Sequence, residues 1–216
     1  MRPPFLKFAW LSAGIAALLP LAAGAADLNA QFTFERRPPN LAVMVLEGEP
    51  GRNPLGEINQ TNKQFTPELV LVPQGGELVI RNSDEVNHNV YADDAKQGVQ
   101  FDIGLREPGR IDRLKANWPE GALFRLSCKI HSQMRGWVAV VSSRQAEVVS
   151  FDPRLRAKTQ VLAGVPPQLQ RLRILMPGVD PVEVNLKTDL GRELPLMKLG
   201  IRIGEVVLNW TTPGET

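Results

Sequence analysis

Beyond residue 40 the apolar residues come in short runs, each closed by a cluster of turn formers, and this punctuation constrains the fold more than any other feature. Leu41–Leu46 runs into Glu49-Pro50-Gly51-Arg52-Asn53-Pro54, Leu69–Val72 into Pro73-Gln74-Gly75-Gly76, and Glu77–Arg81 into Asn82-Ser83-Asp84. Leu123–Ser127 and Trp137–Val141 flank a polar segment, and Glu147–Phe151 adds a further run. No stretch repeats, and none keeps the 3.6-residue apolar period of a long amphipathic helix. Runs of this length and spacing predict an all-β protein, an antiparallel sandwich with Greek-key connections. With 18 Gly and 18 Pro among 216 residues the chain is turn-rich without being of low complexity, so it is neither disordered nor collagenous.

The first 25 residues read as a secretory signal. Arg2 and Lys7 precede a nearly unbroken apolar stretch, Phe8 to Leu21, and Ala23-Gly24-Ala25 offers the small residues of a cleavage site. The expected location is therefore the periplasm, with no membrane span once the signal is removed. Residues 26–150 then read as the main domain, and 151–216 as a C-terminal β-rich extension or small subdomain. In that tail Leu172–Leu175, Val182–Leu186 and Ile201–Trp210 look like strands. The signal carries two of the 25 basic residues and none of the 23 acidic ones, so the exported chain is formally neutral. Neutrality gives no reason to expect a nucleic-acid partner or an anionic membrane surface.

Chemistry concentrates in one segment. The only Cys lies in Leu126-Ser127-Cys128-Lys129-Ile130-His131-Ser132-Gln133-Met134, with one of the only two His three residues on and a Met three beyond that. At this composition the joint spacing arises by chance at roughly a few parts in ten thousand, which makes it a specific motif. The other imidazole, His88, follows a predicted strand in Asn82-Ser83-Asp84-Glu85-Val86-Asn87-His88-Asn89-Val90. One Cys excludes an internal disulfide and Cys-rich zinc or iron–sulfur sites; two His exclude multicopper and multizinc enzymes.

A thiolate, two neutral imidazoles and a thioether suit copper, whose Cu(I) state favours soft sulfur while imidazole accepts both oxidation states. Zinc prefers four firm ligands, for which a thioether is a poor fourth. Each residue has a plainer reading: a buried structural Cys or His, and a Met that fills core. The combined spacing outweighs those readings. Asp84, Glu85, Asp93 and Asp94 read first as a solvated loop, and second as groups that steer a basic partner. Trp137 reads first as core packing, and second as a surface aromatic near the metal that contacts a partner.

These residues resemble the cupredoxins. The Cys-x2-His-x2-Met loop is similar to that of amicyanin, and residues 65–90 to the first-ligand region of the family. The segment from Asn59 to Phe65 and the long tail also resemble exported bacterial plastocyanin-like proteins of the methylamine-utilisation type. The resemblance covers roughly residues 59–141. It implies one type 1 copper held by His88, Cys128, His131 and Met134, with Asn89 tying the two ligand loops together by side-chain hydrogen bonds. It also implies an exposed edge of His131 as the electron port, with Gly136 shaping the docking surface beside it.

The function expected is thus one-electron transport between a donor and an acceptor redox protein, met transiently. Copper carriage for delivery or sensing is one alternative, and a structural or interaction β module with incidental metal is another. An enzyme is the least expected class, because no Ser/His/Asp set remains once both His are committed.

Overall fold

The computed structural model describes residues 25–48 and 51–211; the signal peptide expected over 1–25 lies almost wholly outside them. The chain opens with β1 (Ala26–Phe34) and β2 (Leu41–Glu47). It continues through β3 (Leu55–Thr61), β4 (Gln64–Thr66), β5 (Leu69–Val72), β6 (Glu77–Asn82), β7 (His88–Asp94), β8 (Val99–Arg106), β9 (Ile111–Lys115), β10 (Leu123–Ser127) and β11 (Arg135–Val140). It ends with β12 (Ala146–Ser150), β13 (Ala157–Val165), β14 (Arg171–Leu175), β15 (Val182–Asn185), β16 (Leu194–Lys198) and β17 (Ile201–Thr211). Among the described residues the only helix is one short 3-10 turn, Ala95–Gln97. None is long and apolar enough to cross a membrane.

The strands form four sheets, ordered β13-β1-β17-β16, β12-β2-β14-β15, β5-β11-β10-β7-β8 and β4-β3-β6-β9. The first two enclose one core, built on Leu28, Phe32, Met44, Ile174 and Leu208. The last two enclose another, built on Ile58, Ile80, Val90, Phe124 and Val138. A third, smaller cluster of Leu41, Val43, Val45, Leu69, Leu123, Ala139 and Val141 joins the two inner sheets. The molecule is therefore two β-sandwiches in contact through their inner sheets.

This layering explains why the strands look different in sequence. In β2 the side chains of Ala42, Met44 and Leu46 enter one core, and those of Leu41, Val43 and Val45 enter the joining cluster. Both faces are covered, so the strand reads as a continuous apolar run, LAVMVL, with no alternation. β11 does the same, with Val138 and Val140 on one side and Ala139 on the other. In the outer sheets β1 alternates: Leu28, Ala30, Phe32 and Phe34 are buried, and the residues between them are polar.

The sheets divide the chain differently from the boundary drawn at residue 150. β1 pairs with β13 and β17, and β2 with β12 and β14, so residues 26–47 complete a sandwich with 146–211. The tail alone is too short to enclose a core of this size, and the N-terminal segment supplies one strand to each of the two sheets. A second difference concerns strand direction. β3 and β6 run parallel, as do β5 and β11, because the chain crosses between sheets after β4, β5, β6, β8 and β9 instead of returning by hairpins.

Candidate metal centre

The loop from Ser127 to Arg135 is clamped at both ends by the pairing of β10 with β11, where Ser127 faces Arg135. Between them the Met134 N–H donates to the His131 carbonyl at 2.9 Å, closing a tight turn. His88 opens β7, opposite Arg106 on β8. β7 and β10 are neighbours through Tyr91 and Ser127, and this brings the two segments together at one end of the sandwich.

The outcome is a convergence of donors. His88 Nδ1 lies 3.0 Å from His131 Nδ1, which lies 3.8 Å from Cys128 Sγ. The three donor atoms are all within 4.8 Å of one another. His88 and Cys128 are buried and His131 is half-buried. Met134 is 1% exposed and packs in the same core cluster as Cys128.

The tautomer of His88 follows from its other nitrogen. Nε2 sits 2.9 Å from Asp84 Oδ2, so its proton is directed at the carboxylate and Nδ1 keeps a lone pair aimed at His131. Two imidazole nitrogens 3.0 Å apart can share one proton, and with the sulfur beside them their lone pairs equally suit a single cation. Bonds of about 2.0 Å to nitrogen and about 2.3 Å to sulfur place donors roughly 3.5 Å apart around an ion, close to the spacing found. The residues present fit a metal ion.

Their support is polar and specific. Asp84 also accepts the Lys63 N–H at 2.7 Å and the Glu85 N–H at 3.0 Å. The Lys63 amide first, then His88, holds its carboxyl down at about 2. Burial first, then the neighbouring His88 ring and the charge of Lys63, lower His131 from its ordinary value. The Asn89 backbone N–H donates to Cys128 Sγ at 3.4 Å, and Asn89 Oδ1 accepts the Lys129 N–H at 3.3 Å. Asn89 thereby bridges the two loops. Its side-chain amide in turn donates to Asp102, whose other oxygen takes Lys129 Nζ at 2.6 Å.

Two expectations need correction. Asp84 is not merely part of a solvated loop: the turn 82–87 aims it at His88, four residues on, as a carboxylate orients a metal-binding imidazole. Gly136 does not shape a surface. It is buried, and a Cβ there would lie 2.9 Å from that of Phe65 and 3.2 Å from Ile58, so glycine permits close packing of β11 on the core. Exposed apolar side chains near the centre are instead Ile130, Val86 and Leu105. Asp102 escaped sequence reasoning altogether, since it lies on a strand that carries no motif.

No known sequence family and no curated protein matches the chain. Solved structures do match in part. A purple cupredoxin from Nitrosopumilus maritimus is 20% identical over 39% of this chain and 97% of its own, at a TM-score of 0.34. An oxidised amicyanin mutant is 19% identical over 50% and 97%, at 0.35. A copper-containing nitrite reductase from Thermus scotoductus is 18% identical over 39% of this chain and 21% of its own, at 0.36. At TM-scores this low the likeness assigns no chemistry; the donor set has to do so.

Proposed function

We propose that the chain is an exported, periplasmic type 1 copper protein that carries single electrons between two redox proteins. The observation that carries this reading is the convergence of the only Cys and both His within 4.8 Å. Copper, when bound, supplies a one-electron couple. The chain's own residues do the rest. His88 and His131 offer neutral nitrogens, Cys128 a thiolate, and Met134, three residues beyond His131, a weak thioether donor. Asp84 orients His88, and the Asn89 N–H holds the sulfur from the opposite loop. Because the donors come from a strand start and a loop clamped between paired strands, their positions change little with the metal's charge. The core behind them excludes water from all but the half-exposed ring of His131. No substrate is transformed in this reading.

The test is an optical and EPR spectrum of the copper-loaded protein. An intense visible absorption with a narrow copper hyperfine pattern is expected, and Cys128→Ser should abolish the colour while leaving the metal-free protein folded. Colour that survives the substitution, or a protein that binds zinc and stays colourless with copper, would overturn the reading. Rapid loss of copper to a chelator with no reversible redox cycling would favour delivery over electron transport.

A further inference from the structure

Where the two sandwiches meet beside Trp137, the surface carries charge that the metal centre does not use. The turn after β1, Arg36-Arg37-Pro38-Pro39, and the β16–β17 hairpin line a cavity of about 560 Å³ together with Trp137. Its ionisable groups are Arg36, Arg37 and Lys198, and no Asp or Glu lines it. Among the described residues none of these three takes part in an ion pair. Across a divide of Trp137, Val179 and Leu199 lies a second cavity of about 410 Å³. That one mixes Asp93, Asp94 and Asp180 with Lys96 and Arg125 and so has no single sign.

The hairpin tip is costly to the free protein. Lys198 pairs with Ile201, which leaves a two-residue turn with positive φ at both Leu199 (51°) and Gly200 (76°). Such turns favour Asn at the first position, because a leucine there brings its Cβ against the backbone. Leu199 is also 80% exposed, and Ile201 51%. Backbone sterics and water both disfavour this arrangement. A surface that came to cover the tip would gain.

We propose that this groove docks an acidic segment of a partner protein, with its carboxylates on Arg36, Arg37 and Lys198 and an apolar side chain against Leu199 and Trp137. Concavity favours a convex protein segment over a flat bilayer, and one-signed unpaired charge dictates that the segment be acidic. Trp137 lies three residues beyond Met134, about 10 Å along an extended chain, so a partner seated here would be close to the metal centre. That last link rests on the electron-carrier reading; the docking does not.

The experiment uses metal-free protein and a fluorescein-labelled octapeptide of alternating Glu and Leu, followed by anisotropy, with the Gln counterpart as control. Saturable binding of the Glu peptide is expected, weakening as salt rises from about 20 to about 200 mM. The double substitution Arg36→Ser, Arg37→Ser should weaken it roughly tenfold. Leu199→Asn should bind several-fold more weakly yet be at least as stable, since asparagine accepts the left-handed turn position. Equal affinity for the two peptides, or indifference to either substitution, would overturn the proposal. So would a preference for phosphatidylglycerol vesicles, or a concentration-dependent dimer that the Arg substitutions abolish. Because no copper is present, a missing copper spectrum would sink the electron-carrier reading and leave this result untouched.

Discussion

The two sandwiches are similar in architecture and opposite in what they bury. Of the polar residues buried among the described ones, Gln60, Asn82, His88, Asn89 and Ser127 all belong to the sandwich of β3–β11; the other, Ser143, lies in the connection to β12. The core of the second sandwich is wholly apolar and includes Phe32, Phe34 and Phe151, with Phe151 edge-on to both others at ring separations of 5.2 and 5.1 Å. Buried polar groups stabilise only where each is matched, and here they gather around the two imidazoles and the thiol, which are held by hydrogen bonds. The contrast teaches a division of labour. One sandwich accepts a polar donor cluster at its end, and the other, packed against its inner sheet through Leu41, Val43 and Val45, supplies ordinary hydrophobic stability.

The largest test of that division is Phe32→Ala. Phe32 is fully buried, and removing its ring should cost about 3–5 kcal/mol, a large part of a domain's total. We expect a lowered Tm for the metal-free protein, with copper stoichiometry and colour unchanged below it. Loss of colour in protein that remains folded would show that the sandwiches do not divide the work. A smaller effect is expected from Val43→Ala in the joining cluster, about 2 kcal/mol. Urea unfolding would then split into two transitions, one reported by Trp118 in the first sandwich and one by Trp210 in the second. A single transition of reduced midpoint would mean that other contacts suffice to couple them.

What could be read from the sequence follows the same contrast. The segment Cys128–Met134 could be singled out because its spacing is local: Cys128, His131 and Met134 follow one another at three-residue steps between two paired strands. His88 was legible because no other imidazole exists, and not because anything in its own segment points to the loop. Strands with a run of buried apolar residues, such as β2 and β6, showed as apolar runs. Strands such as β1 and β3 did not, because half of their side chains face water and are polar. Pairings that join residues 26–47 to strands beyond 145 leave no local trace, since any apolar edge could meet them. Asp84 was misjudged for a related reason: an Asp in a turn is ordinarily solvated, and only the geometry of the turn turns it inward.

Two finer predictions sharpen the contrast at the donor cluster itself. Asp102→Asn removes the anchor shared by Asn89 and Lys129. Being exposed, the pair should contribute little to stability. Its effect should instead appear as faster amide exchange at Lys129 and Cys128, with the amides of the second sandwich unchanged. Uniform acceleration in both sandwiches would show a general destabilisation and no local anchoring.

The smallest effect concerns acid. Asp84 has a folded value of about 2 against an ordinary 3.8, held down by the Lys63 N–H and by His88. A carboxyl whose folded value is depressed binds its proton more readily in the unfolded chain. Its contribution is therefore complete above about pH 4 and fades as pH falls toward 2. Asp84→Asn keeps an oxygen for the His88 proton but has nothing to titrate. The metal-free variant should be less stable than the parent at pH 6, and the difference should shrink steadily between pH 4 and 2 as the parent loses its advantage. Thermal melts across that range decide the matter: a constant gap would mean that Asp84 acts through shape alone, and that its charge does nothing for the imidazole it faces.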